Sequence, residues 1–283
     1  MEVTPQPGND QATHWNGPAG LAWVETQAVL DALFEPFEAL LVEAASAKSG
    51  GRVLDVGCGT GSTTLAVARR LGAAGRCVGI DISEPMIAMA RARAEREGSP
   101  ARFICADAQD HAFEAAGFDR IVSRFGVMFF ADPVRAFANL RRAASDAAEL
   151  RCIAWRSPSD NPFMTTAERA AAPLLPNLPA RRPNAPGQFA FADRQRVDAI
   201  LHESGWAGIE IRPIDVDCTM PEAGLVDYLN RLGPVGLMLR EVDDATRKQV
   251  VETIRAAFAP YVHGSEVRFT AACWMVEARA AMV

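Results

Sequence analysis

Apolar residues recur at helical spacing from Ala22 to Ala47, where Leu30, Leu33, Phe34, Phe37, Leu40 and Leu41 share one face and predict an amphipathic helix. The period then changes. Short apolar runs at Arg52 to Val56, Arg76 to Ile82, Arg102 to Ala106, Asp119 to Arg124 and Glu149 to Trp155 read as five strands. Helices are expected between them: Ser62 to Leu71, one capped by Ser83 with Pro85 in its first turn, and one opened by Asp132-Pro133 and running to Ala144.

Short apolar strands that alternate with helices predict a doubly wound α/β fold, with a mostly parallel sheet covered on both faces. The second half is less regular. Ser157 to Gly187 holds seven prolines (158, 162, 173, 176, 179, 183 and 186) around a short helix near Met164 to Ala172. A helix capped by Asp193 is expected to end at Gly205. Strands follow at Ile209 to Val216 and Glu266 to Val276, with single helices at Leu225 to Leu239 and Ala245 to Phe258 between them. The expected organisation is a seven-stranded domain in three stretches: residues 1–48 as a segment and helix ahead of the sheet, 49–156 as the core, and 157–283 as helical lid insertions with the last strands.

Composition narrows the class. The 29 basic and 35 acidic residues leave a net charge of −6 without a basic tract, which disfavours a broad nucleic-acid footprint. The six cysteines form no C-x-x-C pair and no zinc spacing, so they read as free thiols in a reducing compartment and no metal is expected. The polar start lacks the pattern of a signal peptide, and no apolar run reaches the roughly 20 residues of a membrane helix. A cytoplasmic protein without a membrane partner is the expectation; the oligomeric state stays open.

The chemistry starts at Val53-Leu54-Asp55-Val56-Gly57-Cys58-Gly59-Thr60-Gly61. A strand runs into a turn of alternating glycines that opens a helix, so a ligand can lie against bare backbone near N–H groups suited to an anion. Gly57-x-Gly59-x-x-Ser62 also comes close to a dinucleotide fingerprint, with Asp81 as a ribose partner. Neither Tyr228 nor Tyr261 has a lysine four residues later, so a short-chain dehydrogenase pair is missing. Asp81 ends the second strand, where a carboxylate can accept both ribose hydroxyls, and Asp107 follows the third.

The acidic-x-Gly-x-Gly-x-Gly run from Asp55 to Gly61 resembles motif I of the class I S-adenosylmethionine-dependent methyltransferases. Trp15-Asn16-Gly17-Pro18-Ala19-Gly20 and Ser123-Arg124-Phe125-Gly126-Val127-Met128-Phe129-Phe130 are similar to a bacterial small-molecule subgroup related to quinone-biosynthesis methyltransferases. The resemblance implies a Rossmann-like methyltransferase fold with S-adenosylmethionine as cofactor. It further implies Asp81 on the ribose, Asp107 on the adenine amino group and Met86 packed on the adenine. Trp15 would lie in a segment that covers the cofactor, with Thr60, Ile82, Ala108 and Ser123 alongside. One departure is visible: Ala144-Ser145-Asp146-Ala147-Ala148 stands where the family commonly carries Lys/Arg-Pro-Gly-Gly.

The expected reaction is methyl transfer to the O, N or C atom of a small, aromatic or planar acceptor. A quinone-ring or lipid-like C-methyltransferase and a non-catalytic S-adenosylmethionine-binding protein are the alternatives. His14, beside Trp15, is the candidate base, ahead of His111; His202 reads as structural, and His263 falls in a loop. Arg124 could hold an acidic acceptor or the cofactor carboxylate, or form a structural ion pair. Phe125, Met128, Phe129, Trp155 and Phe163, with Leu229 and Met238 from the lid, are candidates for the acceptor pocket; Phe189 and Phe191 are further aromatic candidates.

Overall fold

The computed structural model describes residues 7–45, 51–182 and 184–280, with side chains from residue 11 onward. The first residues of the polar start, the expected boundary at 48–49 and proline 183 lie outside the described residues.

Three helices precede the sheet: α1 (Pro7–Asn16), α2 (Pro18–Glu25) and α3 (Gln27–Ala45). The single helix expected from Ala22 therefore breaks at Thr26, whose hydroxyl turns back to the Ala22 carbonyl at 2.7 Å. The core strands and helices follow as β1 (Arg52–Val56), α4 (Ser62–Leu71), β2 (Arg76–Asp81), α5 (Glu84–Glu97), β3 (Arg102–Cys105), β4 (Phe118–Arg124), α6 (Pro133–Ala143) and β5 (Ala144–Trp155). Next come α7 (Pro162–Ala171), α8 (Arg194–Glu203), β6 (Trp206–Pro221), α9 (Leu225–Arg231), α10 (Gly233–Met238), α11 (Asp244–Ala257), β7 (Val262–His263) and β8 (Glu266–Ala280).

The sheet has eight strands in the order β3-β2-β1-β4-β5-β8-β6, with β7 pairing off the path to β8. β1 to β5 run parallel, whereas β8 is antiparallel to β5 and β6. In β1 the consecutive residues Val53, Leu54, Asp55 and Val56 are all buried, which requires cover on both faces. α3 lies over β4, β5 and β6 and against α4, while α6 and α8 pack together. One hydrophobic cluster joins residues from α3 to β8.

Four further expectations differ from the structure. The seven expected strands gain β7, because His263 and Glu266 pair across a turn at Gly264 (φ +65°). β6 is longer than Ile209 to Val216; its exposed positions include Glu210, Arg212 and Thr219, so the polar face hides the strand. The helix expected over Leu225 to Leu239 is two, since Gly233 takes φ +70° and Pro234 starts the second. The Ala144–Ala148 segment is the start of β5, with a register shift opposite Phe118 and Arg120 and Ala147 at φ +59°.

The N-terminal helices dock on the turn after β2. Ser83 occupies the cap position of α5, yet its hydroxyl makes no cap bond and instead donates to the Trp15 carbonyl at 2.6 Å. Asn16 adds two bonds to the same turn: its Nδ2 donates to the Ile82 carbonyl at 3.1 Å, and its Oδ1 accepts from the Glu84 N–H at 2.7 Å. Gly20 makes this approach possible. A Cβ there would stand 1.9 Å from the Trp15 carbonyl oxygen and 2.8 Å from Ser83 Oγ. We therefore expect Gly20→Ala to release α1 and α2, and chymotrypsin to cut at Trp15 or Trp23 several-fold faster than in the wild type. Equal cleavage rates would contradict this docking.

Candidate cofactor and acceptor site

β1 has β2 on one side and β4 on the other, so the chain leaves the sheet in opposite directions and opens a crevice beyond the strand ends. The glycine turn and the loop after β4 meet there at close range. Gly57 takes φ +66°, and a Cβ on it would lie 2.6 Å from the Gly126 Cα; a Cβ on Gly126 would lie 2.5 Å from the Val56 carbonyl oxygen. Neither position tolerates a side chain. Between them Phe125 holds φ +65°, a conformation unfavourable for a bulky residue, and is fixed by stacking on Trp155 at 4.7 Å and by Phe34 and Phe37.

A cavity of about 1160 Å³ occupies the crevice and extends under the late helices. Gly57, Gly59, Asp81, Ile82, Met86, Asp107 and Ala108 line it from the strand ends, and His14 and Trp15 from α1. Arg124, Phe125, Met128, Phe129 and Trp155 line it beyond β4 and β5, and Phe163, Leu229 and Met238 from the lid helices. Four expected cofactor residues fall outside this lining. Asp55 is buried under the turn and accepts from Thr64 Oγ1 at 2.7 Å. Thr60 offers its carbonyl to Arg93 at 2.9 Å, which places it on the far side of the loop. Gly61 packs against Phe103 and Ala90. The Ser123 hydroxyl is spent on the Val56 carbonyl at 2.7 Å and on the Gly126 N–H. These four shape the turn from behind.

Asp81 is the most constrained polar group in the crevice. Its Oδ2 accepts from the Gly59 N–H at 2.8 Å and its Oδ1 from the Ser83 N–H at 2.9 Å. Burial raises its pKa, and the N–H groups of Ser83, Gly59 and Ile82 pull in the opposite direction. Each oxygen keeps a second lone pair, so the carboxylate can still accept from a ligand hydroxyl. Asp107 is half-buried and accepts from the Gln109 N–H at 2.8 Å. Met86 Sδ would sit 3.7 Å from a Cβ on Gly59, so the thioether lies over the bare part of the turn.

Trp15 is the aromatic hub of the cover: its ring makes edge contacts with Phe129 at 5.0 Å, Trp23 at 6.0 Å and His14 at 4.9 Å. Burial lowers the His14 pKa, which leaves the imidazole neutral near pH 7 and able to take a proton. Arg124 reaches the cavity wall, but its guanidinium is tied to α3: Nη1 donates to the Phe34 carbonyl at 3.3 Å and stands 3.9 Å from a Glu38 oxygen. That contact is the structural pairing considered for it. His111 packs on Phe113 away from the cavity lining, and His202 is exposed on α8. Phe163 is almost wholly enclosed, stacked on Phe269 at 3.7 Å. Phe189 lines the cavity, and Phe191 packs on Phe137 instead.

Sequence reasoning passed over the walls contributed by α2 and α3, where Ala19, Trp23, Leu30 and Phe34 line the cavity. Their spacing marks a buried helix face and carries no sign of whether core or ligand lies against it. Tyr228 also lines the cavity, although in the sequence it bears only on the missing dehydrogenase pair.

Residues 53–146, from β1 into β5, match the family described as "Methyltransferase domain". This stretch is similar to methyltransferase domains. It contains the glycine turn, Asp81, Asp107 and the loop after β4, and so most of the strand-end side of the cavity. A demethylmenaquinone methyltransferase from Thermus thermophilus is 34% identical over 122 residues, covering 43% of this chain and 55% of that protein. The aklanonic acid methyltransferase DauC of a Streptomyces species is 36% identical over 106 residues, covering 37% of this chain and 48% of that one. The chain thus spans about half the length of these two curated relatives. The crystal structure of the YcgJ protein from Bacillus subtilis shares the fold, with a TM-score of 0.57 and 17% identity over 87% of this chain and 98% of that one. None of the helices among the described residues is long and apolar enough to cross a membrane, and no group of three potential metal ligands occurs among those residues.

Burial of Asp55 behind the glycine turn has a measurable consequence. Desolvation lifts its pKa to about 6, against the opposing hydrogen bond from Thr64 and the charge of Arg124. The folded state therefore holds this proton more tightly than the unfolded chain, so the contribution of Asp55 to stability is largest below the ordinary carboxylate pKa. It is lost as pH rises toward 6. Asp55→Asn keeps an acceptor for Thr64 without the ionisation. Its stability relative to wild type, from urea unfolding, should improve by up to about 2–3 kcal/mol between pH 4 and pH 7. A difference that stays constant with pH would contradict a buried, titrating Asp55.

Proposed function

We propose that the chain transfers a methyl group from S-adenosylmethionine to a small, planar organic acceptor. The observation that carries this reading is the Asp81 carboxylate, held at the end of β2 by the Gly59 and Ser83 N–H groups and facing the same cavity as the bare glycine turn. The residues present fit the cofactor. Asp81 would accept from the ribose hydroxyls, Asp107 from the adenine amino group, and Met86 would cover the adenine from the α5 side. The methyltransferase-domain match over residues 53–146 supports the same reading. The cofactor, when bound, supplies a methyl carbon already activated by its sulfonium.

The chain's own residues then have three tasks. Asp81 and the loop after β4 fix the position of the bound groups, and alignment of this kind can supply roughly 7–11 kcal/mol of the barrier. Trp15, Phe129 and Trp23 shield the crevice from water with packed rings. His14, neutral through burial and lining the cavity, can accept a proton from an acceptor that must lose one.

The acceptor would lie on the side of Met128, Phe129, Trp155, Leu229 and Met238, an apolar wall suited to a planar ring. A quinone acceptor is the second reading, supported by the relative named for demethylmenaquinone and by the size of the cavity.

Asp81→Ala removes both ribose acceptors, each a charge-assisted bond of about 1.5–3 kcal/mol. Calorimetry should show S-adenosylmethionine affinity at least tenfold weaker than in the wild type, and NADH should bind neither protein. Unchanged S-adenosylmethionine affinity, or tight NADH binding by the wild type, would overturn the cofactor assignment.

A further inference from the structure

The lid helices line their half of the cavity mostly with apolar side chains, together with several charged residues and one phenol. From α7, α9 and α10 it receives Phe163, Met164, Leu229, Val235 and Met238, and among these helices' described lining residues Tyr228 carries the only hydroxyl. Of the charged residues that line this part, Glu168, Arg181 and Arg231 are engaged with partners, while Arg182 and Glu241 also face the cavity. Glu168 takes a two-pronged contact from Arg181, and Arg231 is paired with Glu25 and stands 3.8 Å from Asp227. Among the described residues the Tyr228 hydroxyl has the Met164 thioether as its hydrogen-bond partner, at 3.8 Å. Sulfur of this kind is a weak acceptor, so a half-buried hydroxyl with that partner keeps its donor capacity for a ligand in the cavity.

We propose that Tyr228 is the specificity-determining anchor of the acceptor pocket, its hydroxyl donating a hydrogen bond to a keto or phenol oxygen on a planar acceptor. The proposal rests on the methyl-transfer reading for its purpose, though not for its geometry. The ring is held in place by neighbours, with Phe163 at 6.1 Å between centroids and Leu229 adjoining on α9. A donor fixed in this way discriminates between ligands that carry the matching oxygen and those that lack it, because an unmatched ligand leaves the hydroxyl with the thioether alone. Burial pushes the phenol pKa up, so the group remains a donor throughout the neutral range. An acceptor with an oxygen at the far end of its ring system would be gripped there by Tyr228. Its reacting end would remain beside Trp15 and Phe129.

The test compares 1-tetralone with tetralin, two ring systems of similar size of which only the first carries a keto oxygen. Binding to the full chain is measured by calorimetry, with S-adenosylmethionine affinity determined on the same samples. Tyr228→Phe keeps the ring and its packing; it should weaken 1-tetralone binding about three- to tenfold, the range of one hydrogen bond, and leave tetralin within twofold. Met164→Leu removes the thioether and leaves the hydroxyl, so it should preserve the preference for 1-tetralone. Equal effects of Tyr228→Phe on both probes, no effect on either, or loss of the preference in Met164→Leu would overturn the proposal. Failure of the wild type to bind S-adenosylmethionine would instead count against the methyl-transfer reading and leave the Tyr228 result standing.

Discussion

Asp81 stands at the meeting point of three parts of the chain, and its two carboxylate oxygens tie them together. One oxygen holds the Gly59 N–H of the glycine turn, and the other holds the Ser83 N–H at the start of α5. Ser83 in turn gives its hydroxyl to the Trp15 carbonyl, which anchors the N-terminal helices. A single hydrogen-bonded line therefore runs from the turn after β1, through the end of β2, to the aromatic cover. Moving Asp81 would disturb the floor and the roof of the crevice together. This is the sense in which the site is preorganised: its polar groups are oriented by backbone N–H donors that would otherwise lack partners.

The cost of that arrangement is concentrated charge in a dry place. Burial raises the pKa values of Asp55, Asp81 and Asp107 and lowers that of Arg124. Each is offset locally: Thr64 supports Asp55, backbone N–H groups support Asp81 and Asp107, and Glu38 faces Arg124. The backbone carries strain at the same place, with Phe125 in the left-handed region and Gly57 and Gly126 in near contact. The stacked pair of Phe125 and Trp155, braced by Phe34 and Phe37 of α3, holds that loop against relaxation. α3 is thus more than packing over the sheet; it sets the wall from which the loop after β4 faces the cavity.

Much of this was legible in the sequence, for identifiable reasons. The strands β1 to β5 are short, apolar and bounded by turn residues, and the glycine run has few uses other than a close backbone approach to a ligand. The placing of Asp81 and Asp107 followed from where strands end. What the sequence hid was partner choice. Asp55 carries the acidic position of the motif, yet its carboxylate turns to Thr64 behind the loop, and no spacing rule distinguishes the two directions. Ser83 has the residue type of a helix cap but serves a distant carbonyl. The breaks at Thr26 and Gly233 are local backbone events that hydrophobic periodicity passes over, and the polar outer face of β6 obscured half of that strand. Tyr228 gave no signal at all, since an isolated tyrosine beside Leu229 reads as ordinary helix surface until the cavity is seen.

The central claim is that the glycine turn and Asp81 form the floor of an S-adenosylmethionine site. The most direct measurement is a crystal structure of the full chain grown with S-adenosylhomocysteine. The expected result is the ribose hydroxyls on the Asp81 carboxylate, the adenine beside Met86 and Asp107, and the N-terminal helices closed over the ligand through Trp15. A ligand bound elsewhere, or one in this crevice whose ribose makes no contact with Asp81, would contradict it.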